Sequence, residues 1–273
     1  MQDFLNHPAV QAGIAPLVVA LVVGALLSRT KFAWLAIIAG YATTIALSTG
    51  FAFTPLTVAR KTLLLGLLAP LIGIVADFLP KGSRAVRILL AVAAGVVSCW
   101  VFASILQQRE GIAKIIAAGG VLLFTAVLVA ATVRHADDGL RAGAAGLGLG
   151  LAVGIAGVLS ASIGALASGV SIAAASGALL LIQVIQSRAL PAGYTGTLPI
   201  GLLCALVPAG TMFLAELPWY ALPLLAIVPI VVGLPAPDRA PTIVRAAILA
   251  FYALVAAALP ILAAWYAARG SLT

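Results

Sequence analysis

Ten long apolar runs follow one another along the chain, and the linkers between them are mostly short. A bilayer crossing needs about 20 predominantly apolar residues, which is close to the length of these runs. A segment that spans the membrane must satisfy its own backbone hydrogen bonds, as a helix does. The runs do not alternate apolar with polar residues, as the strands of a membrane barrel would. We therefore predict that each run is a helix. The runs are Pro8–Leu27, Phe32–Phe51, Thr62–Leu79, Ile88–Leu106, Ile112–Val133, Ala142–Leu159, Ile163–Gln186, Thr197–Ala215, Trp219–Leu234 and Thr242–Ala264.

The amino-acid composition indicates the same class of protein. Of 273 residues, 64% are hydrophobic and only 8% are charged, whereas roughly a quarter of the residues in a soluble domain are charged. We therefore expect an all-α polytopic integral membrane protein with about ten transmembrane helices in a single domain, residues 1–273. No segment is left over for a soluble catalytic or nucleic-acid-binding module. The net charge of +8 is interpreted as contact with anionic membrane lipids, not with nucleic acid.

The basic residues are distributed unevenly between alternate linkers. Five of the 15 lie in one set of linkers, and ten lie in the other. The positive-inside bias predicts that the richer set is cytoplasmic, so both termini face outward. Short loops and an Ala/Gly-rich composition favour a bacterial inner membrane. The ten residues are Arg29, Lys31, Lys81, Arg84, Arg87, Arg134, Arg141, Arg188, Arg239 and Arg245.

Two segments that lie five predicted helices apart have similar sequences. TLLLGLLAPLIGIVADFLP begins at Thr62 and TLPIGLLCALVPAGTMFLAELP begins at Thr197, and six of the first ten aligned positions are identical. The match favours two halves of five helices, residues 1–138 and 139–273. An odd number of helices makes the second half inverted, as in many secondary transporters. The alternative is coincidence, because abundant Leu and Ala supply part of the agreement.

Prolines interrupt both of these matching segments. Pro70 lies in the first segment, and Pro208 lies in the second, where Gly210 and Thr211 follow it. A proline inside a helix removes a backbone hydrogen bond and kinks the helix. Paired Gly/Pro interruptions in corresponding helices indicate a transport site, although proline and glycine are also common in membrane helices for structural reasons.

Residues 143–181 contain no aromatic and no charged side chain. Glycines recur there at spacings of three and four from Gly143 to Gly157, so they share one helix face, and Gly164, Ser168, Ser171 and Ala175 share a face of the next helix. Small faces allow helices to approach closely, which predicts tight packing. The alternative is a hydroxyl-lined path for a solute, formed by Ser160, Ser162, Ser168, Ser171 and Ser176.

Two carboxylates, Asp77 and Glu216, lie within about a turn of predicted helix ends. An acid at a helix C-terminus is disfavoured by the helix dipole, so each is an ion-pair candidate, with Lys81 or Arg84 as the partner of Asp77. An ionisable residue in a membrane helix is a functional candidate. Their position near the interface favours a structural role instead.

No sequence motif indicates enzyme chemistry. His135, Asp137 and Asp138 share one linker, but three such ligands in a short loop are a weak signal for a metal, and we interpret the segment as a solvated linker. Neither a Ser–His–acid arrangement nor paired cysteines nor a phosphate-binding glycine loop stands out. We therefore expect no catalytic residue, no cofactor and no metal.

Two functions are compatible with these patterns. The first is a membrane transporter or permease for a small neutral or amphipathic solute. The second is a non-catalytic accessory or scaffold subunit of a larger membrane complex, whose partners would be other membrane subunits. The helix faces of small residues favour this function because they allow close packing against another helix. The predicted substrate path of the transporter comprises Pro70, Pro208, Gly210, Thr211, Ser160, Ser168 and Ser171.

Overall fold

The computed structural model describes residues 7–48, 50–51, 54–79, 83–237 and 239–270, and their regular structure is helical. Eight helices are long and apolar enough to cross a membrane, which confirms the all-α polytopic architecture. Besides a short helix at Ala103–Gln107, the helices are α1 (Val10–Leu27), α2 (Leu35–Ser48), α3 (Val58–Asp77), α4 (Arg84–Val101), α5 (Gly111–Val133), α6 (Gly139–Leu159), α7 (Ile163–Ile185), α8 (Gly193–Leu214), α9 (Ala221–Val232) and α10 (Thr242–Gly270).

Two of the ten predicted spans, α2 and α9, are shorter than a full crossing. Helix α2 ends at Ser48, and position 49 lies outside the described residues. Helix α9 consists of two short pieces, Ala221–Leu225 and Ile227–Val232. Pro229 lacks the N–H that would bond to the carbonyl of Leu225, and its ring crowds that carbonyl, so the helix breaks at this point. The predicted count of ten crossings therefore stays a prediction.

Helices α6, α7 and α8 form the centre of the molecule. Between 61% and 72% of their apolar windows is buried, against 28–33% for the other five long helices. Helix α7 contacts α1 and α2, helix α6 contacts α10, and helix α8 contacts α3 and α5. The outer helices expose many large apolar side chains, as contact with lipid requires.

Glycines bring α6 and α7 into backbone contact. A Cβ atom at Gly150 would lie 2.5 Å from the backbone nitrogen of Ala173 and 2.6 Å from the carbonyl oxygen of Gly169. The predicted tight packing of the α6 glycine face is thus confirmed. On α7, however, the residues that meet this face include Gly169 and Ala173. The α7 face predicted from the sequence, which includes Ser168 and Ala175, turns toward α2 instead. There Ala175 lies 3.0 Å from the position of a Cβ at Gly40.

The two matching sequence segments, in α3 and α8, lie against each other in antiparallel orientation. A Cβ at Gly73, late in α3, would lie 2.7 Å from the backbone of Thr195, early in α8, whereas a Cβ at Gly66 would lie 2.7 Å from Leu203. The two halves are unequal in burial, because α8 is central and α3 is peripheral. The inverted repeat therefore stays a prediction.

Several linkers meet at the same end of the bundle. Gly193, the first residue of α8 after the α7–α8 linker, donates its N–H to the carbonyl of Ala136, in the linker after α5, at 2.8 Å. Arg134 reaches the carbonyl of Pro229, near the end of α9, at 2.9 Å. We call this the Asp138 end, after the linker between α5 and α6. The opposite end, which holds the linker between α6 and α7, is the Ser162 end.

We predict that Gly169→Ala destabilises the protein and that Gly119→Ala does not. The new methyl group at position 169 would meet the carbonyl of Gly150 at 2.6 Å, and separating the two backbones costs about 1–3 kcal/mol. Nothing lies within 4 Å of a Cβ at Gly119, where alanine should be neutral or gain up to about 1 kcal/mol in helix propensity. Thermal unfolding in detergent, followed by circular dichroism, measures both; equal midpoints would contradict the packing role.

Candidate functional site

A cavity of about 350 Å³ lies at the Ser162 end between α2, α3, α7 and α8. Its volume is at the lower end of the range for small-molecule sites. Among the described residues that line it, none is charged. Small and apolar side chains make up most of the wall, and the hydroxyl-bearing lining residues are Tyr41, Thr44, Ser48, Thr62, Ser162, Ser168 and Thr211.

Tyr41 supplies the most deeply buried of these hydroxyl groups. Its side chain is 1% exposed, and its ring packs against Gly66 of α3. Its hydroxyl lies within hydrogen-bonding reach of the Ser168 hydroxyl, but no well-formed hydrogen bond joins the two. An unpaired buried hydroxyl costs about 1–3 kcal/mol. A bound solute that offers a hydrogen-bond partner would recover this free energy.

Most of the remaining hydroxyl groups already donate their proton to the backbone. Thr62 donates to the carbonyl of Val58 at 3.0 Å, and Thr211 donates to that of Val207 at 2.8 Å. Ser48 and Thr44 also donate to carbonyl oxygens. Each such oxygen keeps its capacity to accept a hydrogen bond. The cavity therefore suits a neutral solute that donates hydrogen bonds.

The helix periodicity explains why α2 presents hydroxyl groups to the cavity. Tyr41, Thr44 and Ser48 follow one another at spacings of three and four, so they share one face of the helix. This stripe is readable in the sequence YATTIALS, yet our sequence analysis missed it. Thr62 and Thr211 meet there because the antiparallel pairing places the start of α3 beside the end of α8.

Three of the seven predicted path residues line the cavity: Ser168, Gly210 and Thr211. Pro70 and Pro208 lie inside α3 and α8 as predicted, but both are buried outside the cavity lining.

The remaining two predicted path residues are serines whose hydroxyl groups bond within the helical backbone. Ser160 donates to the carbonyl of Ala156 at 2.8 Å, and Ser171 donates to that of Ser168 at 2.9 Å. The sequence pattern pointed to α7 and α8, which both line the cavity, but it did not distinguish cavity-facing hydroxyls from internally bonded ones.

No protein-family model matches the chain, and no curated protein matches it. The geometry and chemistry of the cavity are therefore what indicates a function.

Asp77, an ion-pair candidate from the sequence, caps a helix at the opposite end of the molecule. Its Oδ1 accepts a hydrogen bond from the backbone nitrogen of Tyr194 at 2.6 Å, and its Oδ2 accepts from the backbone nitrogen and the hydroxyl of Thr195 at 3.1 and 2.6 Å. The carboxylate thus serves the N-terminus of α8, where a negative charge is favourable. Of its predicted partners, Lys81 lies outside the described residues, and no described ion pair joins Arg84 to Asp77.

Glu216, the other ion-pair candidate, lies after α8 and is exposed. Among the described residues, ion pairs join Asp138 to Arg141 at 3.1 Å and to Arg245 at 3.9 Å. Neither involves Glu216. Because an exposed carboxylate keeps its hydration, it needs no protein partner.

The segment from Arg134 to Arg141 is a structural joint between α5, α6 and α9. Arg134 donates to the carbonyls of Pro229 and Ile230, and Arg141 donates to those of Val232 and Leu234, at 2.9–3.0 Å. The two guanidinium groups thereby cap the end of α9, where cations are favourable. Asp138 accepts hydrogen bonds from the first backbone nitrogens of α6.

The interpretation of this segment as a solvated linker is wrong for His135, which is 5% exposed. Its Nε2 lies 2.8 Å from the carbonyl oxygen of Pro229. Burial lowers the pKa of His135 to about 4, with Arg134 and Arg141 adding to the effect. The ring is therefore neutral at pH 7. Its Nε2 also lies 3.2 Å from the Nε of Arg134, so Nε2 donates to Pro229 in one tautomer and accepts from Arg134 in the other. No group of three metal-ligating side chains occurs within the described residues.

Gln183 completes the polar contacts at this end. The side chain is fully buried. Its Nε2 donates to the carbonyl of Gly139 at 3.3 Å, and its Oε1 accepts from the backbone nitrogen of Leu190 at 3.0 Å. This amide ties the start of α6 to the linker after α7, so it fixes the Asp138 end around the central helices.

We predict that Asp77→Ala lowers the free energy of unfolding by about 2–3 kcal/mol, because it leaves two backbone N–H groups of α8 without an acceptor. Asp77→Asn retains one acceptor oxygen and should lose about half as much. Chemical unfolding in detergent, followed by circular dichroism, provides the measurement. An unchanged midpoint in the alanine variant would rule out the capping role.

We also predict that acidification destabilises the protein through His135. The folded-state pKa of about 4 lies below the usual 6.5, so between these values the unfolded state binds a proton that the folded state does not. The contribution of neutral His135 to the free energy of unfolding is fully present above about pH 6.5. It declines as the pH falls toward 4, by roughly 3 kcal/mol in total. Melting temperatures at pH 7.5 and pH 5 should differ more for the native chain than for His135→Gln, which keeps a donor for Pro229 and does not titrate. Equal differences would contradict the assignment.

Proposed function

We propose that this protein is a permease-like transporter of a small neutral or amphipathic solute that binds in the cavity at the Ser162 end. The supporting observation is the convergence of hydroxyl groups on an uncharged cavity, in which the buried hydroxyl of Tyr41 lies beside that of Ser168 without a well-formed hydrogen bond. Sites for small molecules combine a mostly apolar wall with a few converging polar groups, as this cavity does.

The lining favours a neutral solute over an ion. Transfer of a charged group from water into an apolar site is costly unless a counter-charge is present. The cavity lining has no charged residue among the described ones. Hydroxyl groups can bind alcohol, amide or amine protons, and the apolar remainder of the wall accommodates carbon atoms.

The position of the cavity fits the predicted inverted repeat. It lies between α2 and α7 and between α3 and α8, and these are the helix pairs that the repeat would make equivalent. Transporters built from inverted repeats bind their substrate at the interface between repeats. No open path leads from the cavity to the Asp138 end between α3 and α8, because Gly66 contacts Leu203 and Gly73 contacts Thr195. Transport would require α3 to separate from α8 at this point, with release of the Asp77 cap.

The alternative function, an accessory or scaffold subunit, stays a prediction. Its exposed apolar faces would suit a partner subunit as well as lipid. Native mass spectrometry of protein extracted gently from its membrane separates the two. A particle that contains only this chain and lipid supports the transporter, whereas stoichiometric foreign subunits support the scaffold.

We predict that Ser168→Leu reduces solute flux about tenfold or more, since leucine fills the space beside Tyr41 and removes a hydroxyl. Tyr41→Phe should reduce flux several-fold through loss of one hydrogen bond. The assay is swelling of proteoliposomes in glycerol, erythritol and urea, recorded by light scattering. Thr43→Leu is the control, because this half-exposed hydroxyl of α2 bonds to the Ala39 carbonyl and lies outside the cavity lining. Native flux through folded Ser168→Leu protein would refute the proposal.

A further inference from the structure

A second concave site lies on the lipid-facing surface between α4 and α5, at the Asp138 end. This groove has a volume of about 450 Å³. Its lining consists of three arginines and six aliphatic residues: Arg84, Arg87, Arg134, Ile88, Ala91, Val92, Ala126, Val127 and Ala130. The groove therefore combines a cationic end with an apolar channel between two membrane helices.

The shape of the groove follows from the sizes of the side chains along the two helices. At Gly95 the helices are in close contact, because a Cβ there would lie 2.8 Å from the carbonyl oxygen of Leu122. Toward the Asp138 end the facing residues are alanines, which leave the space between the helices unfilled. Ile88 and Val92 form one flank and are about half exposed. The result is an apolar channel that opens toward the bilayer and narrows at Gly95.

The arginines at the mouth of this channel come from both helices. Arg84 and Arg87 belong to the first turn of α4, and Arg134 follows the last turn of α5. Arg134 is held in place by the carbonyls of Pro229 and Ile230. No acidic residue is among the described residues that line the groove, and the ion pairs of Asp138 involve neither Arg84 nor Arg134.

Three like charges that converge on one apolar channel favour an anion with an apolar tail. Guanidinium groups bind phosphate oxygens through charge-assisted hydrogen bonds, and basic sites between membrane helices bind anionic lipid headgroups. Burial also lowers the pKa of Arg134, and Arg141 adds to this effect, so a nearby negative charge would favour its charged form.

We propose that this groove is a specific site for one anionic phospholipid. The phosphate contacts Arg84, Arg87 and Arg134, and one acyl chain lies in the channel between α4 and α5. A lipid, and not a free phosphate, is the occupant, because the channel opens onto the membrane-facing sides of both helices. This site is separate from the solute cavity and does not depend on the proposed transport function.

The test is native mass spectrometry of the delipidated full chain, titrated with phosphatidylglycerol or with phosphatidylcholine of identical acyl chains. Phosphatidylglycerol should bind more tightly as a single retained molecule. The double variant Arg84→Gln/Arg87→Gln should weaken its binding about 25-fold, at about fivefold for each basic residue. The matched control is Arg188→Gln/Arg239→Gln, which removes two exposed charges at the same end of the molecule but outside the groove lining. Equal weakening by both double variants would overturn the proposal.

A second variant separates the acyl-chain contact from the charge contact. Ala130 is exposed in the groove, so Ala130→Trp should block the channel without disturbing the core, and it should abolish the preference for phosphatidylglycerol. Inorganic phosphate at the same concentration should neither stabilise the protein against heat nor compete with the lipid. If phosphate protects as well as the lipid does, or if Ala130→Trp binds phosphatidylglycerol normally, the channel is not an acyl-chain site.

Discussion

The backbone groups at helix ends set the main constraint on this structure, because the interior of a membrane offers no water to bond with them. At the Asp138 end, side chains meet this need across helices. Asp77 of α3 caps α8, and Arg134 and Arg141 cap α9. A chain with so few charged residues thus uses several of them as caps. These caps join the helix ends firmly, and the cavity lies at the other end of the molecule, where α3 and α8 form part of its wall.

Much of the helical architecture could be predicted from the apolar runs, but the starts of several helices could not. Arg60 and Lys61 were assigned to a linker, whereas α3 begins at Val58 after the Thr57 cap. Lys61 can lie in the helix because its ammonium group reaches the carbonyl of Trp100 at 3.2 Å and lies over that ring. Long basic side chains extend toward polar surroundings in this way, so a charge does not mark the end of a membrane helix.

The candidate site was predictable only in part, because periodicity gives the face of a helix but not the neighbour of that face. Helix α7 has more than one face of small residues. The face with Gly169 packs on α6, and the face with Ser168 and Ala175 turns toward α2. Tyr41 was missed because aromatic residues in membrane helices are usually packing residues or interface anchors. It became a candidate because its buried hydroxyl lies beside Ser168 at the cavity without a well-formed hydrogen bond, which no sequence pattern displays.

The central position of α6, α7 and α8 has a consequence for biogenesis. Synthesis delivers α1 to α5 to the membrane first, yet α7, which contacts α1 and α2, and α8, which contacts α3, are made afterwards. Asp77 meets its partner nitrogen at Tyr194 only after a further 117 residues have been made. Until then, the early helices lie in the bilayer, or beside the insertion machinery, with their inward faces uncovered. The pairs α1–α2 and α4–α5 can form early, but the bundle is complete only after α6, α7 and α8 have entered between them.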